Sequence, residues 1–389
     1  MEHQGFGRWR VGQFETYDTI TYLSTMYLNI KNMKRIILPL AALALIAASC
    51  DNKMEVPQQE NITEVQEVLQ AVTLKINGCQ TKATSVNANE EKIKSLNVFI
   101  YRKGSDGIEK YDSFYSFDDI SAENKVYIDP NNGAVSYRIA VYANQDLVPA
   151  ENGSVLNDQA LFSNESADKF QMYGYSESSA ADLIHNKSVS INLIRQCSRV
   201  CVKEIAVDWT NSANNLKSFK LKGIYLMDVP SVLQNYSPLA ADALKTQTEW
   251  YNTLGHNSSS QDALLYDSIN YQSVTESSSY KTPHYLYGYI SLLDDYYTTN
   301  SWKPSGTRLV IEAEFDGQPC YYAILLSDLV AGEETGSYVR NKAFTFNKIT
   351  ITKPGAKEPY SELQTELALS FSVSVLAWDE IREDTYTIE

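Results

Sequence analysis

Histidine, cysteine and basic charge are all scarce in this chain, and each shortage removes a class of function. Four histidines occur in 389 residues. His185, His256 and His284 each stand alone, with no HExxH and no second ligand at helical spacing, so no metal centre has a sequence handle and each is expected to be an ordinary surface or loop residue. No G-x-S-x-G elbow and no GxxxxGK[ST] loop occurs, which leaves a serine hydrolase or a nucleotide site equally without support. No catalytic residue and no cofactor is expected.

Lys and Arg number 33 against 48 Asp and Glu, a net charge of −15. That balance repels phosphate backbones, and no basic cluster offsets it, so nucleic acid is not an expected partner. The acidic pairs Asp118-Asp119, Asp294-Asp295 and Glu333-Glu334 read as solvated turns, because adjacent carboxylates on a strand point to opposite faces. Asp129-Pro130-Asn131-Asn132-Gly133 lacks the distal Glu of a calcium loop and is read as a turn.

The five cysteines, at 50, 79, 197, 201 and 320, contain no CxxC pair, and an odd count gives at least one of them a separate fate. Cys197 and Cys201 would share one face of a strand about 13 Å apart, too far for a disulfide, so both are expected to be small buried apolar residues. The apolar run after Met33-Lys34-Arg35 spans about 13 residues, short of the roughly 20 that cross a bilayer.

That run ends in Ala47-Ala48-Ser49-Cys50, small residues before a cysteine, and reads as an export signal (33–49) closing in a lipobox with Cys50 as the diacylated residue. Ala47 stands where Leu is usual. Residues 1–32 do not resemble the basic start of a signal and are read as an upstream extension, and 50–64 is a polar tether. The expected location is a membrane surface outside the cytoplasm, held by lipid.

Hydrophobic residues make up 43% of the chain and aromatics 11%, enough for two cored domains. Period-two alternation bounded by turn residues predicts strands at Val65–Ile76, Ile93–Tyr101, Lys125–Ile128, Val135–Ala143, Phe170–Tyr175 and Ser188–Arg195. A second set follows at Val200–Trp209, Phe219–Met227, His284–Ile290, Arg308–Phe315, Cys320–Leu326 and Ala343–Ile351. Helix is expected only in short pieces such as Ser237–Lys245, and Asn252–Ser279 is read as irregular. Many short strands with turns between them indicate antiparallel sandwiches or barrels. The expected domains are 65–196 and 197–389.

The longest alternation closes the chain. In Leu367–Trp378 (L-A-L-S-F-S-V-S-V-L-A-W), Leu367, Leu369, Phe371, Val373 and Val375 share one side of a strand and the serines fall between them. It would run about 40 Å, against a usual strand of about 5 or 6 residues. Such a strand can pair with its own sheet or be lent to another chain. Tyr285, Tyr287 and Tyr289 also alternate, near Tyr296 and Tyr297; they could line a glycan-binding face, or reflect β-propensity alone.

Several stretches stand in an order that carries further meaning: Glu90–Tyr101 (E-E-K-I-K-S-L-N-V-F-I-Y), Arg138–Gln145 (R-I-A-V-Y-A-N-Q), Gln171–Gly174 (Q-M-Y-G), Ile191–Val202 (I-N-L-I-R-Q-C-S-R-V-C-V), Tyr338–Gly355 (Y-V-R-N-K-A-F-T-F-N-K-I-T-I-T-K-P-G) and the terminal strand. With the lipobox, this ordered set resembles the fimbrillin family, the type V pilins made as outer-membrane lipoproteins. The resemblance implies an all-β chain of two transthyretin-like antiparallel β-sandwich domains that polymerises into an extracellular fimbrium supporting adhesion. It also implies partners: other pilin subunits, a trypsin-like processing protease, and a host or bacterial surface receptor. In such pilins the protease cuts after a basic residue behind the first strand, that strand leaves, and the groove accepts the neighbour's C-terminal strand. Here the cut would fall at Lys82-Ala83, and the donor strand would present Leu367, Leu369, Phe371, Val373, Val375 and Trp378. The other reading is a surface lipoprotein that binds glycans through its tyrosine-rich face.

Overall fold

The computed structural model describes residues 69–77, 90, 92–118, 120, 124–150, 158–209, 217–235, 244, 246–293, 302–330, 338–361 and 369–378. Cys50, Lys82, Ala83, Leu367, Tyr296 and Tyr297 lie outside them, as do Asp119 and the 294–295 and 333–334 acid pairs. The described chain is all-β. No described helix is long and apolar enough to cross a membrane.

The first half holds β1 (Gln70–Asn77), β2 (Leu96–Lys103), β3 (Glu109–Phe117), β4 (Lys125–Ile128), β5 (Ser136–Ala143), β6 (Gln159–Leu161), β7 (Met172–Ser179), β8 (Ser188–Asn192) and β9 (Ile194–Arg195). Five of them form an antiparallel sheet ordered β3-β2-β5-β7-β9, and three form a small sheet ordered β4-β1-β8. Alternation decides which faces meet. Leu96, Val98 and Ile100 of β2 and Ile139 and Val141 of β5 pack with Val72 and Leu74 of β1 and Val126 and Ile128 of β4 in one core. Gly174 of β7 is required by close approach, since a β-carbon there would overlap the Asn192 carbonyl oxygen of β8. The helix Ala180–Asn186 joins β7 to β8; the Ser179 hydroxyl caps it by accepting from the Asp182 amide at 3.0 Å.

The second half holds β10 (Ser198–Val202), β11 (Ile205–Val207), β12 (Phe219–Met227), β13 (Val229–Pro230), β14 (Val232–Gln234), β15 (Trp250–Tyr251), β16 (Tyr266–Ser273), β17 (His284–Gly288), β18 (Ile290–Ser291), β19 (Arg308–Phe315), β20 (Gln318–Leu325), β21 (Tyr338–Val339), β22 (Lys342–Ile351) and β23 (Leu369–Ala377). One sheet is ordered β16-β12-β19-β20. In the other, β17 pairs with β10, β10 and β11 lie in succession along one edge of β22, and β23 lies along its opposite edge. A short pairing of β6 with β14 ties the halves together, and the apolar core runs unbroken from Val72 to Trp378.

The observed bounds of β4, β12 and β19 coincide with those read from alternation. Besides short pieces of two or three residues (β6, β13, β14, β15 and β21), two long strands were not foreseen. β3 escaped because its aromatics, Tyr111, Phe114, Tyr115 and Phe117, fall out of period two at a bulge opposite Ile100-Tyr101, along a half-exposed sheet edge. β16 lies inside the stretch expected to be irregular. Only Ile269 of its side chains is buried, and Asn270 and Tyr271 adopt φ of 54° and 56°, so no run of alternating apolar residues marks it. The Asp129–Gly133 turn is present, with the Asp129 carboxylate accepting from the Asn131 amide at 2.8 Å and Gly133 at φ +75°.

Candidate functional site

β1 occupies the middle of its three-stranded sheet. Residues Gln70–Thr73 pair antiparallel with β4, and Thr73–Asn77 pair in parallel with β8. Beyond the ladders, the Thr73 amide donates to the Lys187 carbonyl at 2.9 Å, the Leu74 amide to the Asn124 carbonyl at 2.8 Å, and the Leu193 amide to the Asn77 carbonyl at 3.0 Å. Val72 and Leu74 are buried and Ile76 packs partly against the same core. Withdrawing this strand would leave backbone groups unpaired on both flanks and an apolar floor between them, a slot that another extended strand of alternating character fits.

β23 is the extended terminal strand foreseen from sequence, seated on its own half. Leu369, Phe371, Val373 and Val375 face Ile351, Ile349, Phe346 and Phe344 of β22 in register, and a bulge between Phe346 and Lys348 shifts the ladder once. Leu369 and Val373 are buried and Phe371 and Val375 half-buried, while Ser370 is exposed. Phe371 meets the Phe346 ring at 5.6 Å. Among the described residues β23 pairs only with β22, so it is an edge strand.

The stretches that carried the family resemblance converge on the joint between the halves. The Asn144 side chain donates to the Phe170 carbonyl at 2.8 Å, and Gln145 and Asn235 exchange amide hydrogen bonds at 3.0 and 2.9 Å. Gln171 donates to the Leu161 carbonyl at 2.7 Å, and Arg340 to the Asn235 carbonyl at 2.7 Å. Glu90, fully buried, accepts from Arg199 Nη1 at 2.9 Å, from the Tyr287 hydroxyl at 2.6 Å and from the Trp378 indole at 3.3 Å. Nothing in the spacing of Glu90, Arg199 and Trp378 revealed this meeting, because they are brought together by sheet order alone.

The tyrosine face is corrected by the structure. Tyr287 and Tyr289 are buried, their hydroxyls donating to Glu90 and to Glu165, and Tyr285 is half-buried opposite Cys201. Burial, followed by the nearby Glu90 charge, pushes the Tyr287 phenol well up. Rings committed to a core cannot form a saccharide platform, so the alternating tyrosines report packing. His284 is also corrected: it is buried, its Nδ1 paired with Asp267 and its Nε2 2.9 Å from the Tyr280 hydroxyl. Cys197, Cys201 and Cys320 are free and buried, as their spacing required for the first two.

Glu204, Asp208 and Glu276 line an open hollow of about 570 Å³ beside β11, β22 and Ser370. There Glu204 pairs with Lys348 at 3.7 Å and Glu276 accepts from the Trp209 amide at 2.8 Å. Among the described residues no three His, Cys, Asp or Glu side chains are grouped to hold a metal ion.

Glu165 shows what the joint's burial does to a carboxyl. It accepts from the Gln171 amide at 2.8 Å and the Tyr289 hydroxyl at 2.9 Å, yet burial dominates and lifts it from 4.5 to about 7. A raised carboxyl favours the folded state fully below its unfolded value and loses that contribution as pH rises through 7. Between pH 5 and pH 8, stability is expected to fall by on the order of 3 kcal/mol through this group. Urea unfolding at the two pH values checks it; Glu165→Gln should flatten the slope, and an unchanged slope would exclude Glu165 as its source.

No family model matches the chain, and no curated protein matches it in sequence. Solved structures do. The chain is similar to a candidate cell adhesion protein from Bacteroides eggerthii at 15% identity and a TM-score of 0.51, with 80% of this chain and 96% of that one covered. It is similar to a fimbrilin from Porphyromonas gingivalis, again at 15% identity, with a TM-score of 0.50 and coverage of 79% and 97%. At such identity what is shared is the fold.

Proposed function

We propose that the chain is a structural subunit of the fimbrillin type, built as two β-sandwich domains meeting near Gln196-Cys197, anchored through lipid on Cys50 and polymerised into an adhesive surface fimbrium by strand exchange. The central seat of β1 carries this reading: it is bonded on both edges and its removal would open an apolar slot. The fold shared with a fimbrilin and an adhesion candidate supports it, as does a terminal strand whose alternation suits the same slot.

In this reading a trypsin-like protease cuts at Lys82-Ala83, β1 leaves with the anchor segment, and β23 of the next subunit enters. Catalysis is not required of the chain; its work is done by binding. The N-terminus of protein recovered from surface fibres tests the sequence of events. Ala83 is expected in fibres and Cys50 in anchored, uncut protein, and Lys82→Gln should hold the protein uncut and monomeric. Fibres assembled from chains that still carry residues 70–77 would sink the reading.

A further inference from the structure

Trp378, the residue that follows β23, is held differently from the strand itself. Its amide donates to the Asn341 carbonyl at 2.7 Å and its indole N–H to the Glu90 carboxylate at 3.3 Å. The Arg195 and Arg199 guanidinium groups lie 4.5 and 5.2 Å from the ring centre, and the Tyr287 ring stacks on it at 5.8 Å. Glu90, Arg195 and Trp378 are fully buried and Arg199 nearly so. The indole is therefore clamped between cations on its face and a carboxylate at its edge, in a site shielded from water.

We propose that this socket is a catch that keeps β23 on its own subunit, and that it is a control separate from the cut that frees β1. Along its length β23 has backbone partners on one side only, and of its core-facing side chains Leu369 and Val373 are buried but Phe371 and Val375 only half-buried. An edge strand opens by fraying from its ends, so the group that pins an end governs how often the whole strand comes free. In sequence Glu90 follows Lys82-Ala83. A cut there leaves the carboxylate with the chain that keeps β23, so cutting would prepare an acceptor slot without undoing the donor's catch. What release is for rests on the strand-exchange reading; the catch itself does not.

Amide hydrogen exchange of the full, uncut chain tests the catch, with β12 and β19 as internal controls. Trp378→Ala is expected to speed exchange in Ser370–Leu376 by about tenfold or more, the signature of local opening, with β12 and β19 unchanged. Trp378→Phe, which keeps a ring but loses the N–H, and Glu90→Gln, which removes the charge, should lie between that variant and the parent. Parent-like exchange in Trp378→Ala would overturn the proposal. Acceleration spread equally over β12 and β19 would overturn it too, since the indole would then be holding the fold rather than the strand. Parent-like exchange in Trp378→Phe would remove Glu90 from the catch. Fibre assembly is read separately: a freed β23 in cut protein that never forms fibres would leave the catch standing and sink the strand-exchange reading.

Discussion

Deleting residues 367–389 is expected to abolish fibre growth altogether while the remaining sheets still form. The four apolar side chains that β23 presents, Leu369, Phe371, Val373 and Val375, represent on the order of 10 kcal/mol of gross burial, at about 1.5–3 kcal/mol each. Ordering the strand in a new seat reduces that sum; β20 also alternates at a sheet edge, through Cys320, Tyr322 and Ile324, but its outer edge is bridged by Ala356. The truncated subunit would keep its acceptor slot. Mixed with intact protein after cutting, it should therefore cap chains, taking a strand from one neighbour and offering none to the next. Ladders on unboiled SDS gels and electron micrographs would read this directly, and normal fibres from the truncation would refute the donor role. Truncation also bares the edge of β22, so Phe371→Asp combined with Val375→Asp serves as a second variant. It leaves the chain at full length, charges the inserted face, and should likewise stop assembly.

Much of this architecture was legible because burial on one face of a strand writes itself as alternation. Phe219–Met227 and Arg308–Phe315 could be read to the residue, since both are core strands with apolar residues on at least every second position. β16 could not, because a strand whose side chains are mostly exposed bears no such pattern. The tyrosines in and just after β17 show the opposite failure. Their alternation was visible, but period two states only that residues share a face and not whether that face looks inward; Tyr287 and Tyr289 look inward, to Glu90 and Glu165. The polar joint was illegible for a third reason. Glu90, the neighbouring Arg195 and Arg199, Asn341 and Trp378 come from four distant stretches of chain, and no local spacing encodes their meeting. What the sequence did hold was the resemblance itself: the stretches that carried it are the ones that supply this joint.

The other large effect expected is on stability, at Asp228. It sits between β12 and β13 at φ 59°, fully buried, where its carboxylate accepts from Arg308 Nη1 at 2.7 Å, from the Trp302 indole at 2.9 Å and from the Ser305 hydroxyl at 3.0 Å, while its carbonyl accepts from Thr307 at 3.0 Å. Asp228→Ala takes the carboxylate away from a guanidinium that is itself 4% exposed. Breaking a buried pair by removing one partner costs about 3–5 kcal/mol, and an alanine in the left-handed region adds about 1–2 kcal/mol. Against a typical stability of about 5–15 kcal/mol, that is a large share of the whole. Asp228→Asn separates the terms: asparagine tolerates the same backbone conformation and keeps one acceptor oxygen, so its loss should be clearly smaller. Adding Arg308→Met to Asp228→Ala should recover part of the loss, because the buried charge is removed with its partner. Urea unfolding of the parent, Asp228→Ala, Arg308→Met alone and the double variant closes the cycle. Strict additivity of the two substitutions would show that Asp228 and Arg308 do not stabilise the fold as a pair, leaving the turn's backbone as the source of the effect.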